Sequence, residues 1–417
     1  MQASATLGRP WRWIRPVARR YVEEFGHGTR PRLREVERFL LDDPGLKRAI
    51  VKRGNALKVV SFCPVEPRMR PVAAAKSWKV PEILTEHDLA VWLRVPENEL
   101  RWFATLRSNQ ARRADGRLQH YHYRVIAKAD GNLRLIEAPK ERLKSMQRKI
   151  LVRILEKIPT HPAVHGFVRG RSIKTFAEPH AGKHVVLRMD LKDFFPAFGR
   201  AQIQTFFRTA GYPERVADLL GGLCTNSAPP SVWKEIGIKA KPFAAFEMNR
   251  LYGRPHLPQG APISPALANL CMYRADCRLS ALARVAGATY TRYADDLAFS
   301  GGEQFAKGVD RFAAHVSAIL HEEGFAVNHR KTRVMRRGVR QYLAGVVINE
   351  HPNIVRADFD RLKAILTNCV RHSPEAQNLD GHSAFRSHLE GRVSFVEMIN
   401  AQRGARLRRI FEKIEWR

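Results

Sequence analysis

The chain has 417 residues, of which 44% are hydrophobic and 9% aromatic, enough for a sizeable core and two or three domains or subdomains. Lys and Arg outnumber Asp and Glu by 72 to 40, giving a formal net charge of +32 that predicts a polyanionic partner. This composition excludes disorder throughout, and the longest apolar runs are too short to span a bilayer. Nucleic acid is therefore the expected partner, and no membrane association is expected.

The cysteines are scattered, without the short paired spacing of a zinc site or the density of a disulfide scaffold. They are Cys63, Cys224, Cys271, Cys277 and Cys369. This distribution predicts reduced core residues in a cytoplasmic protein. The first residues are rich in Arg and lack an apolar signal region, so no export is expected.

Residues 1–84 are predicted to form a basic N-terminal extension with irregular, Pro-containing stretches and one helix between Pro31 and Arg53. Trp11 and Trp13 lie among arginines, where they could either stack on single-stranded RNA bases or anchor the segment to a core. The alternative for the whole extension is a solvated basic tail, and its partner could be RNA or another protein.

The pattern becomes regular at Thr85, where LTEHDLAVWL has an N-cap threonine followed by acidic residues in the first turn. Next, YHYRVIAKADGNLRLIEAP predicts two strands joined at Asp130-Gly131, a dipeptide that favours tight hairpin turns. The segment that begins at Glu141 repeats apolar residues on one helical face and basic residues on the other, which predicts an amphipathic helix.

Further along, KHVVLRMDLKDFFPAF predicts an apolar strand that ends at Asp190, and residues 200–223 are predicted to be helical. The stretch APISPALANLCMYRADCRLSALARV predicts one long helix. ATYTRYADDLAFSGG predicts a hairpin with Asp295 and Asp296 at its turn, and a helix through FAAHVSAILHEEG and a second hairpin-like segment, YLAGVVINEHPNIVR, follow. Strands and helices alternate without a sequence repeat, so the predicted fold class is α+β.

Asp295 and Asp296 place two carboxylates at a turn between apolar strands, where cations must offset their mutual repulsion. An isolated Asp pair is weak evidence, because Asp is common in turns. Asp190 lies at the end of another strand, and adjacent strands could bring all three carboxylates together in an oxygen site suited to Mg²⁺, or to Mn²⁺. Two such ions would assist an attacking 3′ oxygen and a departing pyrophosphate in nucleotide addition.

Six segments, in this order, resemble the successive sequence blocks of reverse transcriptases, most closely those of the bacterial retron and group II intron branch. They are the hairpin with Lys128 and Arg134, HGFVRGRSI, MDLKDFF, LPQGAPISPALANL, the YADD turn and GFAVNHRKTRV. The resemblance extends from about Thr85 to a thumb-like ending, HLEGRVSFVEMINAQRGARLRRIFEKIEW. It implies a right-hand polymerase with fingers and palm in residues 85–335, and the palm end and thumb in residues 336–417.

The resemblance implies catalytic and metal-binding roles for Asp190, Asp295 and Asp296. In the family, the residues that match Asp190 and Asp295 do most of the metal binding. Asp193 matches no metal ligand and is interpreted as a polar residue at a strand end. Phe195 matches the bulky residue that clashes with a ribonucleotide 2′-hydroxyl, which implies a DNA product.

Other roles follow from the same resemblance, each with a simpler alternative. Lys128 and Arg134 match cations that hold the incoming triphosphate, although two solvated strand charges would give the same pattern. Gln259 lies in a Pro-Gln-Gly turn that would pass the nascent base pair and contact the template or the nucleotide. Lys331 matches a lysine proposed to approach the triphosphate, and surface charge is the alternative.

Four arginines are candidate nucleic-acid contacts. Arg169 and Arg171 could meet template phosphate, and a structural role in their loop is equally compatible with the sequence. Arg406 and Arg409 fall in an Arg-rich helix that could line the minor groove of the duplex. Contacts of this kind are independent of base sequence and sensitive to salt.

Two segments depart from the retron pattern. FAEPH, at 176–180, stands where these enzymes carry Asn-Ala-x-x-His, and Leu343-Ala344-Gly345 stands in place of Val-Thr-Gly. Membership of the retron group implies a structured noncoding RNA as template and primer, dNTP substrates, an RNA–DNA hybrid product, and a separate effector protein in antiphage defence. The alternatives are another group II-like or defence-associated reverse transcriptase, and an RNA-binding scaffold with a degenerate site.

Overall fold

The computed structural model describes residues 11–25, 31, 33–54, 67–104, 119–127, 133–229, 231–232 and 242–416. The helices are, in chain order, α1 (Ile14–Phe25), α2 (Leu33–Asp42), α3 (Pro44–Arg53), α4 (Glu86–Leu93), α5 (Glu97–Ala104), α6 (Glu141–Arg153), α7 (Ile173–Ala177), α8 (Arg200–Thr209), α9 (Glu214–Cys224), α10 (Pro242–Tyr252), α11 (Ser264–Cys271), α12 (Tyr273–Val285), α13 (Glu303–Glu322), α14 (Arg356–Arg371), α15 (Pro374–Gln377), α16 (Phe385–Ile399) and α17 (Ala401–Phe411).

The strands are β1 (Tyr121–Ala127), β2 (Leu133–Pro139), β3 (Val185–Lys192), β4 (Ala288–Tyr293), β5 (Asp296–Gly301), β6 (Ala326–Val327), β7 (Arg333–Arg336), β8 (Tyr342–Leu343), β9 (Val346–Val347) and β10 (Asn353–Ile354). They form a β1–β2 hairpin, a sheet of β3 to β7 and a small sheet of β8 to β10. The result is a mixed arrangement of helices and mainly antiparallel strands, as the α+β class predicts.

The N-terminal region is more helical than the sequence suggested. The single helix predicted between Pro31 and Arg53 is wrong, because α2 ends at Asp42 and α3 begins at Pro44. Pro44 has no N–H to continue a helix, and the Asp43 carboxylate caps α3 by accepting from the backbone N–H of Leu46 at 2.8 Å. Helix α1 precedes both, in part of the stretch that was predicted to be irregular.

Residues 67–84 pack onto the helices that follow β3. The backbone N–H of Val72 donates to the carbonyl of Thr209 at 3.2 Å, and the Tyr212 hydroxyl donates to the carbonyl of Pro81 at 3.1 Å. Ile83 is fully buried in the main core. Close packing therefore begins before Thr85, the predicted limit of the extension.

The predicted hairpin is confirmed, since β1 and β2 pair in an antiparallel register from Tyr121–Pro139 to Ala127–Leu133. Its turn, with Lys128, Asp130 and Gly131, lies outside the described residues. Helix α6 then buries Leu143, Met146 and Ile150 on one face, as its amphipathic pattern predicts.

The sheet that carries the aspartates has β3 at its centre. Strand β5 pairs with one edge of β3, and β6 and β7 pair in succession with the other edge, while β4 lies outside β5. The β4–β5 hairpin confirms the predicted YADD turn. Helices α12 and α13 pack against this sheet and bury Leu279, Val309 and Val316.

One predicted long helix is divided, and the stretch predicted to be helical at 200–223 contains a break. The stretch predicted as one long helix after Ala261 forms α11 and α12, with Met272 between them. Residues 200–223 form α8 and α9, because Gly211 adopts a left-handed φ of 104° and Pro213 follows.

The C-terminal helices build a second core around α14, α16 and α17, with Leu362, Val393 and Leu407 at its centre. None of the helices in the described part of the chain combines the length and apolar character that crossing a bilayer requires. Cys224, Cys271, Cys277 and Cys369 are free thiols, and Cys63 lies outside the described residues. Cys224 and Cys369 are buried as predicted, whereas Cys277 is exposed on α12, so its assignment to the core is wrong.

Candidate active site

The three candidate aspartates meet at one end of the five-stranded sheet. Asp190, near the end of β3, is the register partner of Asp296 at the start of β5. Asp295 lies in the turn before β5, and its carbonyl accepts from the backbone N–H of Leu191 at 3.0 Å. The structure therefore places Asp190 beside two residues that lie 105 and 106 positions further along the chain, as the sequence analysis expected.

The electrostatics of this cluster are those of crowded carboxylates. Burial, followed by the negative charges of Asp296 and Asp190, raises the pKa of Asp295 to about 6. Burial also raises the pKa of Asp296, although the Arg188 guanidinium opposes the shift by donating to its Oδ1 at 2.9 and 2.7 Å. A guanidinium therefore pairs directly with Asp296, whereas at Asp295 the charge of Lys331 offsets only part of the shift.

Asp190 has two polar neighbours from the segment after β6. The Lys331 ammonium lies 3.2 Å from Asp190 Oδ1, and the Asn328 amide donates to Oδ2 at 3.2 Å. The Lys331 side chain is 51% exposed, whereas that of Asp190 is 6% exposed. The lysine predicted to approach a triphosphate thus lies beside the catalytic candidate, and its contact with phosphate stays a prediction.

The residues present suit a divalent cation, with one adjustment. Asp190 and Asp295 offer hard oxygen ligands, and their mutual repulsion would be relieved by a bound cation. Asp296 is held by Arg188 instead, and within the described ranges no three His, Cys, Asp or Glu side chains already form a metal cage. Asp190 and Asp295 would therefore be the primary ligands, and Asp296 could join them after leaving Arg188.

A fully buried ion pair supports the turn that carries Asp295. Arg292 donates to both carboxylate oxygens of Asp276, at 2.8 and 2.7 Å, and neither side chain is exposed. The same guanidinium donates to the carbonyl of Ala294 at 3.1 Å, and Ala294 adopts a left-handed φ of 55°. Arg292 thus stabilises an unfavourable backbone conformation directly before Asp295.

The HGF part of the HGFVRGRSI segment packs against the same turn. The backbone N–H of His165 donates to the carbonyl of Arg292 at 2.7 Å. A Cβ at Gly166 would lie 2.7 Å from the backbone nitrogen of Ala294, so only glycine fits there. Asn269 fixes this approach by donating to the Gly166 carbonyl at 2.8 Å.

Two arginines of this segment lie in different environments. Arg171 donates to the carbonyl of Val164 at 2.9 Å and also to that of Pro162, which favours the structural alternative. Arg169 is exposed, and Gly170 beside it has a φ of 76°. Contact of either arginine with template phosphate stays a prediction.

A second buried network joins the hairpin to the LPQG turn. His256 Nε2 lies 2.7 Å from one oxygen of Glu137, and the Asn226 amide donates to the other at 2.8 Å. The backbone N–H of Glu137 donates to the carbonyl of Gln259 at 2.8 Å, and a Cβ at Gly260 would lie 3.1 Å from the Glu137 carbonyl. Gln259 is thereby held against β2 with its side chain half-buried.

We expect Glu137→Gln to destabilise the protein more at pH 6 than at pH 9. Although burial opposes it, Glu137 raises the pKa of His256 above its ordinary value of 6.5. The charged pair therefore contributes fully below pH 6.5 and is lost as the pH rises through the raised pKa. The loss at pH 6 should be about 1.5–3 kcal/mol, measured from urea unfolding at both pH values. Equal losses at the two values would contradict the assignment.

Two further nucleotide-binding candidates, Arg134 and Phe195, lie on β2 and shortly after β3. Arg134 is exposed, and both its charge and that of Asp193 act on the Tyr252 hydroxyl, whose pKa burial raises to about 12. Phe195 is partly buried against Phe194, with ring centroids 5.4 Å apart. Arg134 and Asp193 therefore approach the same tyrosine from the hairpin and the sheet.

The Arg-rich end of the chain forms α17, as the sequence implied. Arg406 and Arg409 are exposed on this helix, whereas Arg408 is paired with Glu397 at 2.7 Å. The Arg403 guanidinium lies 5.3 Å from the centre of the Phe359 ring. Arg406 and Arg409 thus have the exposure that duplex contact requires, and the contact itself stays a prediction.

The two segments that depart from the retron pattern keep clear structural roles. His180 is buried between the hydroxyl oxygens of Ser300 and Thr291, at 2.6 and 2.7 Å, and so attaches its segment to β4 and β5. Ala344 and Gly345, with φ of 46° and 90°, form the turn between β8 and β9.

Comparison with known proteins identifies the family of the chain through its sequence relatives. Residues 126–348 match the family model described as reverse transcriptase (RNA-dependent DNA polymerase). The retron Mx65 reverse transcriptase of Myxococcus xanthus is 41% identical over 329 residues, covering 78% of this chain and 70% of that protein. The retron Mx162 reverse transcriptase of the same organism is 36% identical, covering 77% and 66%. A foamy viral protease-reverse transcriptase structure with double-stranded DNA gives a TM-score of 0.34 at 15% identity, over 71% of this chain and 43% of that one.

The fold and the family match define an RNA-directed DNA polymerase of the right-hand type. The chain belongs to the retron-type reverse transcriptases.

Several supporting residues were not singled out from the sequence. Asp276 lies on the buried face of α12 beside Ala275 and Leu279, and Glu137 occupies an inward position of β2. A carboxylate on an otherwise apolar face signals a buried polar pair. The partner in each case is remote in sequence, so the pattern could flag the carboxylate without identifying Arg292 or His256.

Proposed function

We propose that this chain copies a structured noncoding RNA into DNA by metal-dependent nucleotidyl transfer at Asp190, Asp295 and Asp296. The proposal rests mainly on the convergence of the three aspartates, where burial and the charges of Asp296 and Asp190 raise the pKa of Asp295 to about 6. Oxygen ligands of this kind favour Mg²⁺, with Mn²⁺ as a substitute. The family match supports the reaction class, and the geometry supports the assignment of residues.

Two divalent ions at this site would supply Lewis-acid assistance to the attacking 3′ oxygen and the departing pyrophosphate. Asp190 and Asp295 would hold them, and Arg188 would release Asp296 as a further ligand. Lys331 is close enough to exchange its contact with Asp190 for a triphosphate oxygen. The side chains that would change partners, those of Arg188, Asp296 and Lys331, already lie at the site.

The dNTP would be held between hairpin and sheet. Lys128 and Arg134 would bind the triphosphate, since charged hydrogen bonds to phosphate oxygens are among the strong polar contacts. Gln259 would contact the template or the nucleotide from the LPQG turn, and Phe195 would exclude a 2′-hydroxyl. The product would therefore be DNA paired with its RNA template.

The RNA–DNA hybrid would leave across the basic surface of the C-terminal helices. Arg406 and Arg409 are exposed there, and Arg169 is exposed near the YADD turn. Such contacts bind phosphate independently of base sequence. Arg171 is the weakest of the proposed contacts, because its guanidinium already serves backbone carbonyls.

Membership of the retron group supports a proposal for the role of the enzyme in the cell. The RNA would be both template and primer, and a separate effector protein would act with this cytoplasmic enzyme in antiphage defence. An inverted-repeat noncoding RNA encoded beside the gene would favour this over another group II-like or defence-associated reverse transcriptase.

The test is to purify the protein from its native host and sequence the nucleic acid that copurifies, comparing wild type with Asp295→Ala/Asp296→Ala. A DNA complementary to one bound RNA, present only in wild type, is the expected result. RNA without aspartate-dependent DNA, even after addition of Mg²⁺ and dNTPs, would overturn the proposal in favour of an RNA-binding scaffold.

We expect Phe195→Ala to increase ribonucleotide incorporation, because the smaller side chain leaves room for a 2′-hydroxyl. The ratio of kcat/KM for dNTP over rNTP should fall about 10- to 100-fold, the range available to a steric pocket. Primer extension with single nucleotides measures it, with Phe206→Ala on α8 as the control. An unchanged ratio in the Phe195 variant would remove this residue from the nucleotide site.

A further inference from the structure

A basic, aromatic groove lies between the start of α1 and helix α3, in the N-terminal region that the reverse transcriptase family model does not cover. Its cavity has a volume of about 630 Å³. Trp11, Trp13 and five Lys or Arg side chains line it, and no carboxylate belongs to the lining that the structure describes. The groove therefore combines positive charge with flat aromatic surface.

The positive charge is arranged along one face of α3. Arg48 and Lys52 are spaced by one helical turn and both line the groove, as does Arg53. Lys47 lies outside the lining and pairs with Asp42 at 3.2 Å. Some cations of α3 therefore line the groove and others lie outside it. A cation outside the groove can serve as a control for the loss of charge alone.

The walls of the groove are fixed to each other. Arg20 on α1 donates to Asp43 from Nε at 2.8 Å and also from Nη2, and Asp43 in turn caps α3 through Leu46. Despite burial, these hydrogen bonds hold the pKa of Asp43 below its ordinary value. The groove is thereby shaped before any ligand arrives, which reduces the ordering cost of binding.

The tryptophans are not the packing centre of this helical unit. Tyr21, Phe25 and Phe39 pack together between α1 and α2, with ring centroids 5.0 to 5.8 Å apart. The Trp13 indole N–H is buried without an acceptor among the described residues, and the Arg53 guanidinium lies 4.7 Å from the Trp11 ring centre. A ligand with a flat aromatic face would stack on the Trp11 ring beside this guanidinium.

We propose that this groove binds single-stranded nucleic acid, with a base stacked on Trp11 and phosphates along Arg48 and Lys52. Interleaved aromatic and basic side chains hold single strands by stacking and phosphate contact. A duplex would not present a base face to the tryptophans, so unpaired nucleotides are required. The RNA of the proposed function is one source of such a strand, and single-stranded DNA is the other.

The experiment uses the full chain and a short, mixed-sequence RNA carrying photoreactive bromouridine, with the crosslinked peptides identified by mass spectrometry. We expect crosslinks at Trp11 or Trp13. Arg48→Gln/Lys52→Gln should lower the yield about 10-fold at moderate salt, and the slope of log affinity against log salt should fall by about 1.4, about 0.7 for each lost phosphate contact on a single strand. The control is Arg38→Gln on α2 combined with Lys47→Gln on α3; both cations lie outside the lining of the groove, so neither quantity should change.

Three further measurements test base stacking, the need for a single strand and the preference for RNA or DNA. Trp11→Leu should reduce binding about 10-fold through lost stacking, and duplex RNA should not crosslink at the groove. A DNA strand of the same sequence that crosslinks equally assigns a general single-strand site, whereas failure of the DNA assigns an RNA site. Equal losses in the control pair, or crosslinks that avoid the groove, would overturn the proposal.

The result can be read independently of polymerisation. Asp295→Ala/Asp296→Ala should keep the groove crosslink while losing DNA synthesis. Conversely, Arg48→Gln/Lys52→Gln should still extend a short primer annealed to its template. Loss of the groove crosslink and loss of primer extension can therefore be told apart, because each is measured separately.

Discussion

Asp295→Asn should abolish DNA synthesis and at the same time stabilise the metal-free protein. The substitution removes a ligand oxygen charge from the proposed metal site, so we expect the rate of nucleotide addition to fall on the order of 10³-fold or more, equivalent to about 4 kcal/mol of transition-state stabilisation. Stability should change in the opposite direction, because Asp295 carries a buried charge beside two other carboxylates.

The sign of the stability effect follows from the pKa. The folded-state pKa of Asp295 is raised from 3.8 to about 6, so the folded protein binds a proton that the unfolded chain has released. Wild-type stability therefore falls as the pH rises from about 4 to about 6, and the full penalty persists above that window. Asn does not titrate. The free energy of unfolding of Asp295→Asn should therefore exceed that of wild type by at most about 3 kcal/mol above pH 6, and the difference should vanish below pH 4.

Thermal unfolding in EDTA at several pH values measures this advantage. Asp310→Asn on α13 is the matched control, since it removes the same charge from an exposed position. Added Mg²⁺ should raise the Tm of wild type and of the control, because a ligand that binds only the folded state stabilises it. A Tm of Asp295→Asn that stays at or below wild type in EDTA at pH 8 would contradict the crowded-carboxylate account.

Asp276→Asn should be the most destabilising conservative change near the site. Asp276 and Arg292 are both fully buried, and the substitution leaves the guanidinium without its charge partner. Breaking such a pair costs about 3–5 kcal/mol. Since Arg292 also holds the Ala294 carbonyl, activity measured well below the Tm should fall about 10- to 100-fold, as for supporting residues around metal sites.

A double substitution separates the contribution of the Asp276–Arg292 pair to stability from the contribution of Arg292 to the turn before Asp295. Asp276→Leu/Arg292→Met replaces the pair with apolar side chains and should recover much of the lost stability, as buried ion pairs often allow. Activity should stay low, because Arg292→Met removes the hydrogen bond to the Ala294 carbonyl. Recovery of both stability and activity would show that Arg292 serves the core and does not position Asp295.

The sequence predicted the convergence of the three aspartates better than it predicted the boundaries of the elements. Asp190, Asp295 and Asp296 lie at strand ends within apolar stretches, so local pattern and family resemblance agree there. Helix divisions at Pro44 and Met272 were missed, because the hydrophobic spacing continues across each break while tertiary packing and capping decide where a helix ends.

The supporting contacts were beyond prediction for a different reason. Arg188 looked like an ordinary strand residue, yet it pairs with Asp296, 108 positions away. The local sequence around Arg188 does not specify this contact, because the contact depends on the register in which β3 and β5 pair. The same holds for Arg292, whose contact with Asp276 depends on how α12 packs against β4.

The most direct test of the central claim is extension of a DNA primer on an RNA template by the full-length protein with Mg²⁺ and dNTPs. Wild type and Asp193→Asn, which alters a carboxylate assigned no metal, should extend the primer at rates within about tenfold of each other. Asp190→Ala and Asp295→Ala should give no extension. Extension by either of these two variants at the wild-type rate would contradict the assignment of Asp190 and Asp295 as the catalytic, metal-binding pair.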